Sequence, residues 1–92
     1  NLFNELWDSL AATIEALEQA GPEADAALVK KLAHDACGLS ASLGASALSA
    51  ALRRIEHAAR DGAASADLFD GLGPLSADSR SAAAAVIARR SA

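Results

Sequence analysis

Apolar residues return at three- and four-residue steps along the first helical stretch: Leu2, Phe3, Leu6, Trp7, Leu10, Ile14 and Leu17. At about 100° per residue they form one stripe, with Glu5, Asp8, Glu15 and Glu18 off it, which predicts an amphipathic helix. Gly21-Pro22 ends that pattern. A second helix is predicted from Pro22 or Glu23, where Glu23 and Asp25 suit the positive end of the helix dipole. Its stripe is Leu28, Leu32, Ala36, Leu39 and Leu43, and it stops near Gly44. A third runs from about Ala45 to Arg60 on Leu48, Leu52, Ile55 and Ala59, closed by Asp61-Gly62. The short link between these two makes them antiparallel neighbours. Ser65 to Phe69 reads as a turn or two of helix, interrupted by Gly71-Leu72-Gly73-Pro74. A fourth long helix is expected from about Ser76 to Arg89, with Asp78 near its start and Arg89 and Arg90 at its end, the order the dipole favours. The pattern predicts an all-α, antiparallel, up-and-down four-helix bundle, one domain over residues 1–92.

Composition sharpens this. Of the 92 residues, 52% are hydrophobic but only 3% aromatic. Ala and Leu, the strongest helix formers, dominate, and the β-branched and aromatic residues that strands favour are scarce. The net charge is −4 and no basic run occurs, which argues against nucleic acid or an anionic membrane as partner. The longest apolar run, Ala82 to Ala88, is too short to span a bilayer, and no signal-peptide pattern is found. Met is absent even from position 1, as expected of a piece of a longer chain. A single cysteine, Cys37, cannot close an internal disulfide, so a cytoplasmic setting is expected. A chain this short does not house a nucleotide-binding enzyme domain beside a helical one, so any chemistry must be simple.

One residue invites chemistry. The leucine stripe of the second helix covers an arc of about 80°, and His34 lies roughly 200° from its centre, facing water. Its face neighbours are Ala27, Lys30 and Lys31 before it and Cys37, Gly38 and Ala41 after it. Glycine inside a helix costs about 1 kcal/mol relative to alanine, so Gly38 needs a reason. Small residues around the imidazole leave room for another protein's active site to close over it. Two lysines beside it suit a phosphoryl group, which carries about −1.5 to −2 charges and three acceptor oxygens. Neutral imidazole is a competent nucleophile near neutral pH. Taken alone, an exposed histidine is usually ordinary surface. His57 has that character: Arg53, Arg54, Arg60 and Asp61 crowd its face, and no glycine opens it. His34 and Cys37 make at most half a metal site, so no metal is assigned.

The stretch Ala33-His34-Asp35-Ala36-Cys37-Gly38-Leu39-Ser40-Ala41-Ser42-Leu43-Gly44-Ala45 resembles the signature of histidine-containing phosphotransfer (HPt) domains, roughly A-H-x-L-K-G-x-S/A-x-x-x-G-A. Leu48, Ile55-Glu56 and the closing Ala58-Ala59-Arg60-Asp61-Gly62 continue in register. The resemblance implies a phosphorelay intermediate with no ATP-binding domain of its own. In that role His34 takes a phosphoryl group from a histidine kinase or a receiver-domain aspartate and passes it to a receiver domain. It implies no cofactor in this chain, with Mg²⁺ expected in the partner receiver. A docking or phosphoryl-stabilising face is expected on Ala27, Lys30, Lys31, Cys37, Gly38, Ala41 and Ser42, in a molecule expected to be monomeric. Two positions depart from the pattern: Ala36 replaces its Leu, and Cys37 replaces its Lys three residues after the histidine. Lys30 and Lys31, one turn earlier, are expected to compensate in part for that lost cation. The alternative is a degenerate bundle that docks a receiver or kinase without transferring phosphate.

Overall fold

The computed structural model describes residues 1–91; Ala92, the last residue of the expected domain, lies outside them. Among the described residues five helices follow in order: α1 (Leu2–Ala20), α2 (Ala26–Ser42), α3 (Ser46–Arg60), the single turn α4 (Ala66–Phe69) and α5 (Leu72–Ser91). Neighbouring pairs α1–α2, α2–α3, α3–α5 and α1–α5 close a ring of four long helices, with α4 against α3. This is the predicted four-helix bundle.

Local chemistry sets the ends. Asn1 caps α1, its Oδ1 accepting from the Asn4 amide at 2.9 Å. Asp25 rather than Glu23 caps α2, its Oδ1 accepting from Ala27 N at 3.1 Å, so the helix begins three residues later than Glu23. At the other end Gly44 adopts φ 79°, and Ala45 N donates to the Ser40 carbonyl at 2.9 Å. That left-handed residue reverses the chain between α2 and α3 at little steric cost only because it lacks a Cβ. Helix α5 begins at Leu72, earlier than the expected Ser76, because Pro74 falls in its first turn, where its missing N–H would have had no helical partner.

The core joins Trp7, Leu10, Ile14 and Leu17 of α1 to Leu48, Leu52, Ile55 and Ala59 of α3, as their stripes predict. Phe3 is half-buried and meets Trp7 with ring centroids 6.2 Å apart. Arg80 ties α5 to α1, donating to Asp8 Oδ1 at 2.9 Å and Asn4 Oδ1 at 3.2 Å.

Helix α2 is turned differently from its leucine pattern. Its buried residues are Val29, Ala33, Ala36, Cys37 and Ser40. By helical arithmetic the centre of that arc lies about 80° from the leucine arc, toward His34. Leu32, Leu39 and Leu43 flank the core half-buried, and Leu28 is 47% exposed. Small side chains at the centre let α2 and α3 approach closely, since helix separation is set by the side chains at the contact. The seam is polar in part: the Cys37 thiol donates to the Ser49 carbonyl at 3.4 Å, and Ser49 Oγ donates to the Cys37 carbonyl at 3.3 Å.

Thermal melts distinguish this orientation from the leucine-centred one. Val29→Ala removes two fully buried carbons and is expected to cost about 1.5 kcal/mol, at about 0.8 kcal/mol per buried CH₂. Leu28→Ala, a larger truncation on an exposed face, is expected to stay within about 0.5 kcal/mol of the parent. The reverse order would place the leucines at the centre of the seam.

Candidate functional site

His34 sits midway along α2, at the edge of its contact with α3 rather than opposite it. The rotated buried arc puts its Cβ about 115° from the core direction. From there the imidazole reaches α3: Nδ1 lies 2.8 Å from Glu56 Oε2. The side chain remains 73% exposed, while Glu56 is only 17% exposed. A carboxylate can only accept, so this contact selects the tautomer with the proton on Nδ1 and puts the lone pair on Nε2. Nε2 has no partner among the described residues.

Ala27, Lys30, Lys31, His34 and Glu56 line one open depression of about 430 Å³. The sequence predicts all but Glu56 on this face; Glu56 is in register with the HPt pattern, but the pattern of α2 alone gives it no role. A single-helix projection has no way of pairing residues on different helices, and Glu56 becomes a partner of His34 only through the α2–α3 seam. Gly38 and Ala41 continue the exposed strip beyond the histidine. A Cβ built on Gly38 would meet no atom within 4 Å, so nothing inside the molecule demands glycine there.

Two expected members stand elsewhere. Cys37 is 8% exposed and points into the seam against Ser49, so it does not border the imidazole face. A leucine-centred inner face would set it beside His34; the rotated arc turns it inward. Ser42 is exposed, but it donates to the Gly38 carbonyl at 3.1 Å and lines an apolar groove at the end of the bundle with Leu43, Val86 and Ile87. His57 is exposed on α3. Near it the Arg60 guanidinium contacts Asp61 at 3.1 Å and holds that carboxyl below its ordinary range through a hydrogen bond and charge attraction. Among the described residues, no three of His, Cys, Asp and Glu converge as a metal site, and no helix is long and apolar enough to cross a membrane.

The family model of the Hpt domain matches residues 1–87. Comparison with curated proteins and with solved structures returned no match.

The open space at Gly38 has a measurable consequence. Gly38→Ala is expected to stabilise the domain by about 0.5–1 kcal/mol, because alanine loses less backbone freedom in a helix. A higher midpoint in a thermal melt checks this; a lower one would reveal an internal need for glycine.

Proposed function

The chain belongs to the Hpt domain family, a family of histidine phosphotransfer modules that work with receiver domains and kinases in phosphorelays, and from that membership we propose that His34 is its phospho-acceptor. It takes the group from a histidine kinase or a receiver-domain aspartate and passes it to a receiver domain. The observation that carries this proposal is the His34–Glu56 contact at 2.8 Å on an otherwise exposed ring. It holds one nitrogen and leaves the other free for a visiting protein.

With an aspartyl phosphate as donor, the Nε2 lone pair attacks phosphorus in line and an N–P bond forms. The bond from phosphorus to the aspartate oxygen breaks, and its electron pair returns to that carboxylate. The ring keeps its Nδ1 proton, and Glu56 balances the positive charge that the imidazole gains. In the forward transfer the next aspartate attacks, the N–P bond breaks and its electrons return to Nε2. We assign the Mg²⁺ of this chemistry to the partner receiver and no cofactor to this chain. Ala27, Lys30, Lys31, Gly38 and Ala41 form the docking face, and the domain acts as a cytoplasmic monomer.

The second reading, a docking bundle without transfer, is favoured by Cys37, which puts no cation on α2 three residues beyond His34. Labelling separates the two. Incubation with phosphorylated receivers or a kinase is expected to give an acid-labile, base-stable phosphate on the parent and none on His34→Gln of equal helicity. Label that survives in His34→Gln would refute the acceptor assignment, and receiver binding without label would select the docking role. Glu56→Ala is expected to slow labelling about 10- to 100-fold, the equivalent of losing a charge-assisted hydrogen bond of about 1.5–3 kcal/mol. Glu56→Gln keeps an acceptor oxygen and is expected to retain part of the rate.

A further inference from the structure

We propose that Arg53 of α3 supplies the cation that holds the phosphoryl oxygens on His34, in place of the one that α2 lacks at Cys37. This rests on His34 being the phospho-acceptor. At Cys37 helix α2 carries a thiol directed into the seam, so no charge projects from that position. On α3, residues 49, 53, 56 and 60 follow one another at four-, three- and four-residue steps and share one stripe. Two of them make the contacts to α2: Ser49 meets Cys37, and Glu56 meets His34. Arg53 lies on the stripe between them, about one turn from each, and is exposed. It therefore stands across from the segment that runs from His34 to Gly38, where the missing Cβ leaves the surface open.

Arg53 is also uncommitted. Among the described residues it takes part in no ion pair, whereas Arg60 is held by Asp61 and Arg80 by Asp8. Lys30 and Lys31 precede His34 along α2 and border the depression that it shares with Ala27 and Glu56. The lysines thus flank the ring toward the start of α2, and the register of α3 against α2 sets Arg53 level with the Gly38 side. A planar guanidinium can give two parallel N–H donors to a phosphoryl group, which an ammonium cannot match. Arg54, one position on, turns away and lines a cleft with Asp67 and Asp70.

The test needs no partner in its first arm. Phospho-His34 is prepared with phosphoramidate, and the phosphohistidine is titrated by ³¹P NMR in the neutral range, where its acid-labile N–P bond survives. A nearby cation disfavours protonation of the phosphohistidine, so Arg53→Ala is expected to raise its apparent pKa by roughly 0.2–0.7, the range that corresponds to an exposed ion pair. Arg53→Lys restores part of the difference, and Arg54→Ala leaves the titration at the parent value. In the second arm, transfer from a phosphorylated receiver is expected to fall about tenfold in Arg53→Ala, with an unchanged melting midpoint. An unchanged titration in Arg53→Ala overturns the proposal, as does a rise matched by Arg54→Ala. A rise produced by Lys31→Ala alone assigns the cation to α2 and also overturns it. Failure to label the parent at His34 would defeat the acceptor assignment itself; a labelled parent with a silent Arg53→Ala defeats only the role of Arg53.

Discussion

The close approach of α2 to α3 is the constraint on which the rest of the arrangement depends. Ala33, Ala36, Cys37 and Ser40 present little bulk, and Ser49 answers Cys37 with reciprocal hydrogen bonds across the seam. Bulky side chains at these positions would hold the helices apart. The small ones leave the leucines of α2 on its flanks and roll the helix so that His34 stands at the rim of the interface. Gly44 makes the seam possible at its end by turning the chain back within three residues.

From that rim position His34 gains a property that a fully outward histidine lacks. Glu56 comes from the neighbouring helix and is itself mostly covered, so its carboxylate is presented to the imidazole from a fixed backbone rather than from a floppy surface chain. Fixing a reactive ring between two packed helices lowers the entropy lost when a partner engages it. The division of labour is clear: α2 carries the ring and an unobstructed approach, and α3 carries the group that orients it.

The bundle is not packed evenly. Its large buried side chains come mostly from α1 and α3, while α5 contributes Leu72, Ser76 and the half-buried Leu75 and Ala83. Past Ala83 its side chains through Arg90 are exposed, Val86 and Ile87 among them. An alanine-rich helix has high intrinsic propensity but little area to bury, so α5 relies on its first half and on the Arg80 contacts for its attachment. The site lies in the better-packed part.

Sequence periodicity by itself determined the number, order and approximate limits of the helices, because Trp7, Leu10, Ile14, Leu17, Leu48, Leu52 and Ile55 recur with the helical period and are large enough to mark an inner face. The exposure of His34 was legible too, because it lies off both the leucine arc and the true buried arc of α2, as was the resemblance carried by the residues around it. The orientation of α2 was not. Its centre is made of small residues that a hydrophobic pattern does not weigh, and its leucines mark the flanks instead. That misplacement carried Cys37 onto the wrong face and left Glu56 without a role. Which residue of α3 meets which residue of α2 depends on how closely two backbones can approach, and only the packed tertiary structure decides that distance.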